Sequence, residues 1–302
     1  MTVLVGTASW TDKTLIDSGL FYPPEVKSAE ARLRFYSSVF PMVEVDSSYY
    51  AIPSQTNARL WAERTPRDFT FNVKAFRLFT GHQTEAKVLD RDIRKSLPAI
   101  LATKPKLYYK DLPFQILDEL WRRFHLAVAP LRESGKLTAV HFQFAPWVIC
   151  NHDGEAHLRE CASRMGEQLM AVEFRNKTWF DASHASSTLE LERELGVAHV
   201  VVDSPKVETA NVVPSIWEIT STRLSILRLH GRNSATWNVK GATSASDRFD
   251  WDYSQAELEE LVPQIRALEQ RVEVLQVVFN NNREDQGQRN ARTLMGLLGL
   301  ER

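Results

Sequence analysis

Eight short runs rich in Val, Ile, Leu and Phe recur along this chain, at Val3–Ser9, Met42–Ser48, Thr70–Ala75, Ala139–Ala145, Met170–Arg175, His199–Asp203, Ser225–His230 and Val274–Asn280. Most of the stretches between them place apolar residues at helical spacing behind capping residues. Ser28 precedes Leu33, Tyr36 and Phe40; Ser54 leads to Ala58 and Trp61; Asp111 opens a segment through Ile116, Leu120, Phe124 and Leu131; and Asp181 is placed to cap the segment that reaches Leu195. Ser254 and Glu257 form a capping box before Leu258, Leu261, Ile265 and Leu268, and a last helix is expected from about Gly287 to Leu298. Strands alternating with helices imply parallel pairing through right-handed crossovers, and eight such units are the number that closes a (β/α)8 TIM-like barrel. An open doubly wound sheet is the competing arrangement. Gly6-Thr7-Ala8-Ser9 speaks against it, because the turn after the first strand lacks the glycine-rich dinucleotide fingerprint.

Two stretches depart from a regular barrel. Arg77 to Thr138 is too long for one crossover and predicts a helical excursion between strands 3 and 4, while Ser204–Arg223, broken by Pro214, predicts an irregular sixth crossover. No repeat, low-complexity segment or linker divides the chain, so residues 1–302 are expected to form one domain. With 43% hydrophobic residues there is ample apolar surface for a large core, and the net charge of -1 gives no global pull towards nucleic acid or an anionic membrane. Cys150 and Cys161 fit no metal-ligand spacing and form no disulfide framework, which points to a reducing, cytoplasmic compartment. The N-terminal run is too short for a signal peptide or membrane span and reads as a first strand.

The functional signal lies in the strands themselves. Parallel strands covered on both faces normally read as near-continuous apolar runs. Here alternate positions are polar: Thr7 and Ser9; Glu44, Asp46 and Ser48; Asn72 and Lys74; His141 and Gln143; Glu173 and Arg175; Asp203; Arg228 and His230; Asn280. Period two places this set on one face, expected to be the barrel lumen, and it concentrates at the C-terminal strand ends, where barrel enzymes carry their sites. Unpaired, each buried charge costs several kcal/mol, so the set implies mutual pairing or a ligand. A structural salt-bridge network is the alternative to a site.

Arg175 and Arg228 suit bidentate capture of a carboxylate or phosphate. Lys74 is read as a charge partner of Glu44, with a Schiff-base nucleophile as the other possibility. Glu173, Asp203 and His230 are the proton-transfer candidates. Asp46, Gln143 and Asn280 are expected to complete the ligand contacts, and Trp10 and Tyr49, just past strand ends, to wall the pocket. No cofactor is expected. A divalent cation held by Glu44, Glu173, Asp203 and His230 is the weaker alternative to an acid–base cluster, because two arginines and a lysine in the same lumen oppose a cation. The segment Trp237–Trp251, with Gly241, reads as a loop that serves as a lid.

Gly6-Thr7-Ala8-Ser9-Trp10, Phe21-Tyr22-Pro23, Val43-Glu44-Val45-Asp46 with Tyr49-Tyr50, Phe71-Asn72-Val73-Lys74-Ala75, Val172-Glu173-Phe174-Arg175, Val202-Asp203-Ser204, Arg228-Leu229-His230-Gly231 and Phe279-Asn280-Asn281 together resemble the DUF72, or YecE-like, family. The resemblance spans nearly the whole chain. It implies a TIM-like barrel with a pocket at the strand ends, similar in outline to sugar isomerases and metal-dependent abasic-site endonucleases, and supplies no reaction. Against the family's usual pattern, Asp46 replaces Asn and Gly81 is inserted before His82.

The leading expectation is an enzyme applying acid–base chemistry to a small polar or anionic substrate such as a sugar, sugar phosphate or hydroxy acid. A metal-assisted phosphodiester hydrolase and a non-catalytic ligand-binding protein are the alternatives; near-neutral charge counts against nucleic acid as partner. No membrane association is expected, and nothing in the sequence sets the oligomeric state. On this reading Glu173→Gln and Arg228→Ala spare folding and alter binding.

Overall fold

A computed structural model describes residues 1–238 and 248–300. Its eight parallel strands are β1 (Thr2–Ala8), β2 (Met42–Val45), β3 (Thr70–Lys74), β4 (Leu137–Gln143), β5 (Met170–Glu173), β6 (Ala198–Asp203), β7 (Leu224–Leu229) and β8 (Val274–Phe279). They pair in chain order, and β1 pairs with both β2 and β8, so the sheet closes into a barrel.

Local chemistry fixes where the outer helices begin. Ser28 accepts from the Ala31 N–H at the head of helix Ala29–Val39, and Ser54 from the Asn57 N–H at the head of Gln55–Glu63. Asn151 does the same for His152–Met165, and Ser254 with Glu257 forms the capping box of Gln255–Glu269. Each such cap satisfies an otherwise orphaned N–H and is worth about 1 kcal/mol. Asp111 and Asp181 act one step earlier than expected. Asp111 closes the turn Tyr109–Asp111 before helix Phe114–Glu133, and Asp181 holds the Ser183 and His184 N–H groups ahead of Ala185–Glu194.

Between β3 and β4 the chain makes the short helices Ala86–Val88, Arg91–Ser96, Ala99–Ala102 and Tyr109–Asp111 before helix Phe114–Glu133 packs Trp121 flat on Phe79, 3.9 Å between ring centres. Between β6 and β7 no helix forms. Ser215 instead donates to the Val202 carbonyl and Thr220 accepts from the His199 N–H, which ties that segment to β6. Gly241 lies outside the described residues, so the segment Trp237–Trp251 is described only at its two ends.

Inside the barrel the two ends differ in chemistry. Leu4, Met42, Ala139, Ala171, Ala198, Val200, Leu224, Ile226 and Val278 pack into one apolar lumen cluster. Above it the Asn72 side chain donates to Gln276 Oε1 at 2.6 Å across the lumen. This layering corrects the expected facing of two strands. Leu4 and Ala8 point inward, so Thr7 faces outward and its hydroxyl meets the Tyr36 hydroxyl at 2.9 Å. On β6, Ala198, Val200 and Val202 point inward, so Asp203 faces outward. Both runs are apolar on both faces and carry no period-two signal to set their facing.

Gly6 lies on the inward face of β1, where a Cβ would stand 2.3 Å from the Met42 carbonyl oxygen on β2. Both atoms belong to strand backbone held on either side, so neither can yield. Gly6→Ala is expected to destabilise the barrel by about 1–3 kcal/mol, the usual cost of overpacking. An unchanged melting temperature would count against this strand spacing.

A cationic pocket over a buried ion network

Three side chains form the base of the site. Glu44 on β2, Glu173 on β5 and Arg228 on β7 are all fully buried. Arg228 spans the two carboxylates, with Nη2 2.6 Å from Glu44 Oε1 and Nη1 3.2 Å from Glu173 Oε2. His141 on β4 lies between the same pair, Nδ1 2.8 Å from Glu44 and Nε2 3.2 Å from Glu173. These are ion contacts, out of line for hydrogen bonding. Burial alone would raise the carboxylates, but Arg228 and His141 hold Glu44 well below its usual range, and Arg228, with the hydrogen bond from His230, does the same for Glu173. For His141 burial opposes the charged form, and the flanking glutamates outweigh it and raise its pKa.

His230 is held in the opposite state. The Asn280 carbonyl oxygen accepts from Arg228 Nη2 at 3.0 Å, so the amide nitrogen faces His230 Nδ1 at 2.9 Å. That orientation makes Nδ1 an acceptor and assigns the proton to Nε2, which lies 2.9 Å from Glu173 Oε1, nearer than the Arg175 and Arg228 Nη1 atoms that also face it at 3.2 and 3.4 Å. Burial outweighs the opposing pull of Glu173 and, reinforced by Arg228 and Arg175, lowers the pKa of His230 to about 3. Gln143 donates to Glu173 at 2.7 Å and Arg175 at 3.1 Å, completing the shell around that carboxylate.

Above this network lies a cavity of about 200 Å³ at the C-terminal mouth of the barrel. Lys74, Arg175, Arg228 and Arg248 contribute its cations and Asp46 its carboxylate, with Gln143 and Asn280 among its amides. Lys74 Nζ sits 3.2 Å from Asp46, not paired to Glu44, and 4.9 Å above the Tyr49 ring. Burial first, and Asp46 among the neighbouring charges, push the Tyr49 hydroxyl up to about 12, so it is a neutral donor across the physiological range. Phe249 stacks on His230 at 5.3 Å, and Trp237 packs against the Arg175 guanidinium, so both described ends of the Trp237–Trp251 segment cover the site.

The residues selected from sequence thus divide into three groups. Lys74, Asp46, Tyr49, Gln143, Arg175, Arg228 and Asn280 line the cavity. Glu44, Glu173 and His230 are brought together beneath it but do not line it. Asp203 and Trp10 are elsewhere. Asp203 binds Arg232 at 3.0 Å and the Tyr253 hydroxyl at 2.6 Å, while Trp10 packs edge-on against Trp61 in the outer core. The four-residue metal cage of Glu44, Glu173, Asp203 and His230 is therefore not assembled. Among the described residues no group of three or more His, Cys, Asp or Glu side chains is arranged to hold a metal ion.

Three further residues belong to the site. His141 and Gln276 share the inward parity of their strands with Gln143 and Asn280, and period two was signal enough to find their roles. His82 lines the cavity from the loop after β3, where no periodicity marks it.

No helix among the described residues is long and apolar enough to cross a membrane. The family model described as "Protein of unknown function DUF72" matches residues 4–302. The UPF0759 protein YunF of Bacillus subtilis is 32% identical over 301 residues, which cover 99% of this chain and 95% of that protein. A solved DUF72 family protein of Thermotoga maritima is 26% identical with a TM-score of 0.78, the match covering 99% of this chain and 100% of the other. One from Enterococcus faecalis is 24% identical with a TM-score of 0.79, covering 100% and 97%, a likeness of fold.

Proposed function

The chain belongs to the DUF72 family, and from the pocket this barrel presents we propose that it is an enzyme that binds a small anionic molecule of sugar-phosphate or hydroxy-acid type and acts on it by acid–base chemistry. The observation that carries this reading is the charge on the lining. Arg228 and His141 answer Glu44 and Glu173 beneath the pocket, which leaves Lys74, Arg175 and Arg248 facing the cavity against the single carboxylate of Asp46. A surplus of buried cations in a narrow cleft favours an anion. At about 200 Å³ the cavity falls below the range of roughly 300–1,000 Å³ typical of drug-sized ligands, which suits a molecule of a few carbons.

In this reading Lys74, Arg175 and Arg228 hold the anionic group, and Gln143, Asn280 and Tyr49 address hydroxyls. Glu44, Glu173 and His230 act one layer down, fixing Arg228 and Arg175 before a ligand arrives. That preorganisation is worth most at a site that must bind charge out of water. Titration calorimetry with inorganic phosphate, glycerate and ribose 5-phosphate tests the reading. Lys74→Met is expected to weaken binding of whichever anion binds by about ten-fold or more, the usual weight of a charge-assisted hydrogen bond. Equal affinity in wild type, Lys74→Met and Arg248→Met would remove the pocket from consideration.

A further inference from the structure

We propose that His82 is the general base of this pocket, and that it removes a proton from the carbon beside the carbonyl of a small anionic 2-oxo acid or ketose phosphate. The inference rests on the anion-pocket reading and assigns its proton-transfer group, since Glu173 and His230 do not line the cavity and Asp203 points away from the lumen.

Geometry sets the tautomer. Thr80 is buried and its hydroxyl donates to the Arg77 carbonyl at 2.9 Å, which spends its one hydrogen. Its oxygen then meets His82 Nδ1 at 2.8 Å as an acceptor, so the network assigns the ring proton to Nδ1. Nε2 is left with a lone pair. The ring is fixed edge to face between Tyr49, at 5.2 Å, and Trp147, at 5.5 Å. Tyr49 also carries Lys74 Nζ at 4.9 Å, so an oriented lone pair and an ammonium group flank one aromatic ring on the cavity wall. A lone pair held by a second hydrogen bond on the opposite nitrogen is the arrangement that general-base histidines use.

The charges around the ring give the base a trigger. Burial, followed by Lys74, Arg77 and Arg175, lowers its pKa to about 3, so it is unprotonated in the free protein. A bound anion answers Lys74 and Arg175 and moves His82 back towards its ordinary range when the proton must be taken. In the step itself the C–H bond breaks and Nε2 takes the proton. The C–H electron pair forms the carbon–carbon double bond of an enolate, and the carbonyl π pair moves to oxygen, where Lys74 and Arg175 hold the charge. Return of a hydron from the imidazolium to carbon reverses the step, so no oxidant or co-reactant enters.

Proton exchange reports this step directly. Pyruvate, 2-oxobutanoate and dihydroxyacetone phosphate are incubated with the protein in D2O, loss of the α-proton signal is followed by NMR against protein-free controls, and binding is measured separately by calorimetry. The expected result is protein-dependent exchange of at least one probe that binds. His82→Asn keeps a donor towards Thr80 and removes the lone pair. It is expected to cut the saturating exchange rate by about 100-fold or more, a typical loss for a general base, while the affinity stays within about three-fold. Imidazole added to His82→Ala is expected to restore part of the exchange, which a packing role would not allow. If none of these probes binds while phosphate, glycerate or ribose 5-phosphate does, this inference fails and the pocket reading stands; if none of the six binds, both fail. Binding without exchange in the wild type, or undiminished exchange in His82→Asn, overturns the assignment of His82 alone.

Discussion

Replacing Arg228 with methionine is expected to lower the free energy of unfolding by about 3–5 kcal/mol, the usual cost of leaving a buried charge without its partner. The guanidinium is fully buried and touches Glu44, Glu173 and Asn280 at 2.6, 3.2 and 3.0 Å. Methionine fills much of the volume and returns none of the charge. His141 then remains the nearest cation to Glu44 and cannot meet it in line, while Glu173 keeps only Arg175, at 3.1 Å, as a close guanidinium. Urea denaturation followed by circular dichroism checks the loss. Arg228→Met combined with Glu44→Gln should recover a substantial part of it, because the second change removes one of the stranded charges. A single variant as stable as the wild type would mean that the network is solvated, and the case for a preorganised pocket would weaken with it. This outcome differs from the expectation, formed from sequence, that Arg228→Ala spares folding. That expectation placed the guanidinium at an open strand end, whereas the structure buries it on the cavity floor against Glu44, Glu173 and Asn280.

The barrel was legible because its signals are local and repeated. Each strand is a short apolar run, most outer helices carry a side-chain cap, and eight repetitions leave little freedom in how the sheet closes. The pocket was legible wherever a strand alternates charged with apolar residues. Glu44, Asn72, Lys74, Gln143, Glu173, Arg228 and Asn280 all follow from period two, and all lie in or under one cavity. Alternation failed on β1 and β6, where Val3-Leu4-Val5 and Val200-Val201-Val202 are apolar on both faces. Thr7 and Asp203 were therefore assigned to the lumen, although one binds Tyr36 and the other Arg232.

Trp10 shows a second limit. Standing just past a strand end raises the odds that an aromatic lines a pocket, yet the left-handed backbone of Ser9, at φ 71°, turns the chain and delivers Trp10 to the outer core beside Trp61. His82 shows a third, since its position depends on a loop whose path no periodicity encodes. The helix His152–Met165, among those not singled out from the sequence, buries Gly154, Leu158, Cys161 and Met165 at a spacing of three to four residues. Its signal was present but diluted by a mostly polar surface.

The histidines that make the site also make the fold sensitive to acid. His82 and His230 each have a folded pKa of about 3, against roughly 6.5 for an imidazole in the unfolded chain. A depressed histidine binds a proton in the unfolded state and not in the native state throughout that window, so its contribution to stability is present above about pH 6.5 and falls as pH drops towards 3. Each such group contributes a slope of about 1.4 kcal/mol per pH unit. Together they should remove about 2–3 kcal/mol for each unit between pH 6 and pH 4. His141 moves the other way. Its raised folded pKa adds stability that is fully present below the unfolded value, so it does not offset the loss in the acid window, and its own contribution disappears only as pH rises through the raised value. Glu44 and Glu173, both lowered, add to the acid loss once the pH falls below the ordinary carboxylate range. Urea midpoints across pH 4–7.5 measure the slope. His230→Gln keeps a neutral donor towards Glu173 and removes one titrating ring, so it should be less stable at pH 7.5 yet lose about 1.4 kcal/mol per pH unit of the wild-type slope, leaving the share of His82 and of His157, which burial also lowers. An unchanged slope in that variant would place the uptake of acid on other groups and remove His230 from the neutral state that its bonds to Asn280 and Glu173 require.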